Sequence, residues 1–212
     1  MGSISKSLMT SVGVISLVLL ATPVQAQDQG NARGPIGPSP YDVVTGWHQP
    51  FAAHGFAFGG NSGVWAESPD RIIVAQRGET RLPSPIPEEF EQHAGSLGIN
   101  VLFEADRRVW RNCLYTLNAN GEVEELWTQW DHLCEGSEGP GPHRVRISPY
   151  DPERRIWLIN ETFHQIHVFT NDGSQSLMTL GEKLVPGDDE THFGRPQDVA
   201  FLPDGRILVA DG

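Results

Sequence analysis

One pattern that occurs twice constrains the fold of this chain more than any other feature. Pro142-His143-Arg144-Val145-Arg146-Ile147 is followed by a Pro/Asp turn and then by Arg155-Ile156-Trp157-Leu158-Ile159-Asn160. Pro196-Gln197-Asp198-Val199-Ala200-Phe201 is followed by Pro203-Asp204-Gly205-Arg206 and then by Ile207-Leu208-Val209-Ala210-Asp211. Each copy reads as a short strand, a tight turn and a second strand. The central valines, Val145 and Val199, lie 54 residues apart, a period that points to a propeller or solenoid.

The segment between the copies completes the unit. His164 to Phe169 alternates polar and apolar residues, Asn171-Asp172-Gly173 is a hairpin turn, and Ser176 to Leu180 supplies a fourth strand. Four antiparallel strands per repeat describe a propeller blade; unrelated hairpins in a β-sandwich are the alternative. A third copy lies upstream, where Asn61 to Ala66 is followed by Ser68-Pro69-Asp70 and Arg71 to Gln76. Its Val64 precedes Val145 by 81 residues, so this blade carries an insertion. Within it Asn100 to Glu104 is a candidate strand and Pro87 to Phe90 a candidate helical turn. Cys113 to Leu117 and Glu122 to Trp127 form the hairpin that closes the blade, and Gln129 to Gly141 reads as a polar, Gly-rich crossing.

The fold class is therefore all-β, an incomplete propeller of about three blades over residues 41–212. A closed propeller needs at least four, so the chain is expected to belong to a longer gene product. Residues 1–26 read as a signal peptide, with an apolar run from Leu8 to Ala21 and a small-x-small signal at Val24-Gln25-Ala26. An uncleaved anchor is the other reading. Residues 27–40 form a Gly/Pro linker. The expected location is secreted or periplasmic. A formal charge of −12 argues against nucleic acid and anionic membrane surfaces as partners. In an oxidising compartment Cys113 and Cys134, the chain's two cysteines, are expected to pair; two buried free thiols are the alternative.

The first strand of a propeller blade lines the central channel. Ser62, His143 and Gln197 each stand two positions before the blade's valine, so one copy offers an imidazole where the others offer neutral polar groups. Imidazole is a good zinc ligand, although a lone channel histidine can equally hold water. Arg77 follows the second strand, where the other copies have Glu161 and Gly212. A guanidinium at the channel mouth can clamp a carboxylate or form a surface ion pair. His164 reads as a solvated edge residue and His192 as a turn residue. Asp188-Asp189-Glu190 is an acidic loop whose charges are solvated by default, with calcium binding as the alternative.

Pro142-His143-x-Val145, Trp157, Phe163-His164-Gln165-Ile166, Leu180-Gly181, Pro186-Gly187-Asp188, His192-Phe193, Pro196-x-Asp198-Val199-Ala200 and Val209-x-Asp211-Gly212 resemble the peptidyl-α-hydroxyglycine α-amidating lyases, six-bladed propellers of the NHL-repeat type. The resemblance implies a channel zinc with His143 as one of three histidine ligands. It implies a structural calcium bound partly through the backbone carbonyls of Val64 and Val145. Arg77-Gly78, thirteen residues past Val64, matches the substrate-contacting arginine. The implied substrate is a small peptide ending in α-hydroxyglycine, split into a peptide amide and glyoxylate. The family's catalytic tyrosine would follow Asp211-Gly212, so this chain by itself is expected to be inactive. A non-catalytic propeller that binds a peptide or glycan at its mouth is the rival reading, and a lactonase-like propeller with acidic metal ligands is a third.

Overall fold

A computed structural model of the chain describes residues 42, 44, 46–49, 51–58, 60–82, 85, 108–136 and 140–212. The signal segment, the linker, the candidate strand at Asn100 to Glu104 and the candidate turn at Pro87 to Phe90 lie outside them. The unit described runs from Val44 to Gly212. Its strands are β1 (Phe56–Phe58), β2 (Asn61–Ser68), β3 (Arg71–Gln76), β4 (Glu79–Arg81), β5 (Arg108–Val109), β6 (Leu114–Leu117), β7 (Val123–Leu126), β8 (Pro142–Ile147), β9 (Ile156–Asn160), β10 (Gln165–Phe169), β11 (Ser176–Leu180), β12 (Pro196–Phe201) and β13 (Ile207–Asp211). No helix among the described residues is long and apolar enough to cross a membrane.

The strands form two four-stranded antiparallel sheets, ordered β2-β3-β6-β7 and β8-β9-β10-β11, and the hairpin β12-β13. The repeat shows in the register: Val64 pairs with Val74, Val145 with Leu158, and Val199 with Val209. This nearly all-β arrangement fits an incomplete propeller.

Strand side chains alternate between the two faces of a sheet, and the sequence uses both faces. Ile73 and Ala75 of β3 join Val145, Ile147, Ile156 and Leu158 in a core between the first and second sheets. On β9 the intervening Trp157 and Ile159 face the other way and pack with Ile166, Val168 and Val199 toward the hairpin. A strand covered on both faces must be apolar throughout, which explains the unbroken run Ile156-Trp157-Leu158-Ile159. Truncating Leu158, fully buried, to alanine would cost about 2–5 kcal/mol.

The hairpin turn at Asn171 to Gly173 also holds the sheets together. Gly173 has φ +69, and a Cβ there would sit 2.5 Å from the Trp127 ring. Its carbonyl accepts from Trp130 Nε1 at 2.7 Å. Trp130 belongs to a two-turn 3-10 helix, Thr128–Leu133, where the sequence suggested only a polar, Gly-rich crossing. A further small sheet, β1-β4-β5, joins a strand that precedes β2 to two strands that follow β3. There the Phe56 ring lies under the guanidinium of Arg111 at 4.2 Å.

The expected Cys113–Cys134 disulfide is not present. Both residues are free, buried thiols, close enough for the Cys113 thiol to hydrogen-bond Cys134, and that contact together with burial pushes its pKa far upward. The pairing was inferred from compartment and count. Compartment and count favour the bond without determining it: the fold brings the two cysteines together and leaves both as thiols.

Candidate functional site

The site forms where the first strands enter their sheets. β2 and β8 run unusually close: a Cβ on Gly63 would lie 2.7 Å from the backbone nitrogen of Val145 and 2.9 Å from the Arg144 backbone. Only glycine admits that approach. It lets the entry side chains reach across from sheet to sheet. Ser62 Oγ donates to the Pro142 carbonyl at 2.6 Å, Arg144 Nη1 donates back to the Ser62 carbonyl at 2.7 Å, and His143 Nδ1 bonds the Gln197 carbonyl at 2.8 Å.

The His143 contact fixes its chemistry. A carbonyl oxygen only accepts, so Nδ1 carries the proton and Nε2 presents its lone pair. Metal-binding histidines are oriented in this way, the second nitrogen donating to a carbonyl or carboxylate. His143 is half-buried, and among the described residues its ring makes this one hydrogen bond, through Nδ1. The residue therefore suits a zinc ligand. Among the described residues no group of three or more His, Cys, Asp or Glu side chains converges.

Arg77 stands just past β3. Its backbone N–H bonds the Gly60 carbonyl at 3.0 Å. Its guanidinium is mostly buried and reaches Glu161 Oε1 at 3.7 Å. Desolvation lowers its pKa, Glu161 offsets part of this, and Arg144 adds to it. Its Nε is buried without a hydrogen-bond partner, an unsatisfied donor. Burying such a donor unpaired costs about 1–3 kcal/mol.

Glu161 links these parts. It opens the single 3-10 turn Glu161–Phe163 that follows β9 and is 4% exposed. Its Oε2 accepts from Gln197 Nε2 at 2.8 Å and lies 3.8 Å from Arg195 Nη2. A continuous path therefore runs from His143 through Gln197 and Glu161 to Arg77, drawing on both four-stranded sheets and the hairpin β12-β13.

The remaining sequence candidates lie elsewhere or act differently. Val64 and Val145 occupy equivalent registers on the adjacent strands β2 and β8, Val145 fully buried and Val64 54% exposed. Among the described residues no acidic cluster accompanies them, so a calcium ion here would draw on main-chain oxygens. His164 is no solvated edge residue. It is half-buried with φ 59, and its Nδ1 bonds the Gly194 carbonyl leading into β12. The left-handed turn that ends the 3-10 helix swings it inward. His192 is a turn residue: Asp189 accepts from the backbone N–H groups of Thr191 and His192, and its hydrogen bond to the imidazole raises the His192 pKa.

The comparisons with known proteins bear on this arrangement. No protein-family model matches the chain. A Caenorhabditis elegans protein named "Probable peptidyl-alpha-hydroxyglycine alpha-amidating lyase pgal-1" is 41% identical over 71 residues, 34% of this chain and 19% of that protein. This chain resembles the α-amidating lyases. Peptidyl-alpha-hydroxyglycine alpha-amidating lyase 1 of Drosophila melanogaster is 38% identical over 74 residues, 34% of this chain and 13% of the relative. Peptidyl-glycine alpha-amidating monooxygenase B of Xenopus laevis is 35% identical over 127 residues, 53% of this chain and 14% of the relative. The chain thus spans less than a fifth of the length of these amidating relatives.

Sequence reasoning named two members of the network, His143 and Arg77, and passed over Glu161 and Gln197 as mere repeat equivalents. A signal for Glu161 was present. The position after the second strand holds a cation in one copy and an anion in the next, and opposite charges in one repeat slot of neighbouring sheets face each other.

Proposed function

We propose that this chain forms part of an exported, zinc-dependent lyase. It would act on small peptides ending in α-hydroxyglycine, breaking the bond between the amide nitrogen and the hydroxyl-bearing carbon. The nitrogen leaves as a peptide amide and takes up a proton. The carbon keeps its oxygen as glyoxylate once the hydroxyl proton is lost. The observation that supports this reading is the path from His143 to Arg77, which links an imidazole suited to a metal with a guanidinium that has an unpaired donor.

His143 Nε2 would be one zinc ligand, with Nδ1–H anchored on the Gln197 carbonyl. A zinc ion held there would supply Lewis acidity that makes the substrate hydroxyl easier to deprotonate. Arg77 would receive the substrate carboxylate on its guanidinium and hold the scissile carbon in place. Its shielding from water strengthens that attraction relative to a surface arginine. Val64 and Val145 would contribute carbonyls to a structural calcium ion.

The test is glyoxylate release from an α-hydroxyglycine peptide by the zinc-loaded product of the whole reading frame. The expected result is turnover that falls about 100-fold in Arg77→Lys, because an ammonium cannot reproduce the fork. Binding of the peptide without release of glyoxylate would overturn the lyase reading in favour of a binding propeller.

A further inference from the structure

We propose that Glu161 is a positioning residue that sets the guanidinium of Arg77 and, through Gln197, the imidazole of His143. Its catalytic consequences rest on the lyase reading above, whereas its geometric consequences do not. Glu161 is nearly inaccessible, at 4% exposure, yet its nearest cations stand back at 3.7 and 3.8 Å. Those distances balance charge without saturating the arginine donors. The one short contact is from Gln197 Nε2 at 2.8 Å. Gln197 is the same residue whose backbone carbonyl accepts from His143.

A buried carboxylate facing two guanidiniums would normally form tight, bidentate pairs. Here Gln197 takes the hydrogen-bonding role, and Arg77 Nε stays without a partner. Glu161 therefore acts as a counter-charge that holds Arg77 in the site while leaving its Nε unpaired. It also competes electrostatically with any carboxylate that Arg77 receives. Removing its charge should strengthen ground-state attraction for an anionic substrate and lose the alignment needed for reaction. Such a mutant lowers KM and kcat together, a split that a purely structural residue does not produce.

The test uses the zinc-loaded product of the whole reading frame with Glu161→Gln, Glu161→Asp and Gln197→Leu. In Glu161→Gln, kcat for glyoxylate release is expected to fall about 10–100-fold while KM falls. Glu161→Asp, which keeps the charge, should recover most of kcat and guards against misfolding of the glutamine variant. Gln197→Leu should weaken zinc binding by about 10-fold and, in nitrogen NMR of metal-free protein, loosen the Nδ1–H tautomer of His143. A rise in KM with unchanged kcat in Glu161→Gln, or wild-type zinc affinity and tautomer in Gln197→Leu, would overturn the proposal. If the wild type releases no glyoxylate, the lyase reading fails alone, and the tautomer and zinc measurements still decide the role of Glu161.

Discussion

Replacing Gly63 with alanine probes the contact that brings the entry side chains together. The added carbon would lie 2.7 Å from Val145 N and 2.9 Å from both Arg144 C and Cα. All three are backbone atoms inside a paired strand, so no side chain can swing away. Relief requires β2 and β8 to part by roughly 0.5–1 Å, which forfeits a quarter to a half of each dispersion contact between them. Overpacking of this kind costs about 1–3 kcal/mol. The Ser62–Pro142 and Arg144–Ser62 hydrogen bonds, 2.6 and 2.7 Å long, span the same gap and contribute about 1 kcal/mol each. We expect a loss of about 3 kcal/mol, or roughly 9 °C in Tm for a chain of this size. Gly205→Ala is the control. Gly205 has φ +87 and nothing within 4 Å of a new Cβ, so only the backbone conformation is penalised, by about 1 kcal/mol. Thermal and urea unfolding followed by circular dichroism would measure both. A Gly63→Ala stability within about 0.5 kcal/mol of wild type would refute the close packing on which the site depends.

Further outcomes follow from other parts of the structure. His167 is buried, its Nε2 lacks a partner, and desolvation, with smaller contributions from His132 and Lys183, lowers its pKa from 6.5 to about 4. Between those values the unfolded chain binds a proton that the native state refuses, so stability should fall as pH drops from 6.5 towards 4. The fall is up to roughly 3 kcal/mol, and His167→Gln should flatten it in a pH series of urea melts. Cys113 and Cys134 should resist iodoacetamide in the native protein and both react after unfolding without reductant; mass spectrometry finding them linked would restore the disulfide expected from sequence. His143→Ala should weaken zinc binding by at least about 10-fold in chelator competition, with little change in Tm for the metal-free protein.

Much of the fold is legible in the chain because its signals are local. Alternation and Asn/Asp-Gly turns mark β8 to β13 to within a residue or two. The same rules find β2, β3 and the hairpin β6-β7 on either side of the insertion. The sheet β1-β4-β5 was not legible. Its strands are two or three residues long and pair across a separation that leaves no periodic trace. The covering of Tyr115 by Trp47 and Phe51 is likewise a tertiary choice that aromatic composition alone does not specify. At the site, repeat alignment singled out His143 and Arg77 but could not show which nitrogen of His143 is free. That depends on the Gln197 carbonyl, 54 residues away. The inward turn of His164 was missed because a left-handed histidine looks, in sequence, like any strand-edge residue.

The claim that Arg77 and His143 serve one reacting centre is tested most directly by a double-mutant cycle on kcat/KM for glyoxylate release, using Arg77→Lys, His143→Asn and the pair. Groups that act as a unit give non-additive losses, so the double variant should be within about threefold of the worse single one. Two losses that simply multiply would show the residues working independently and would contradict a shared site.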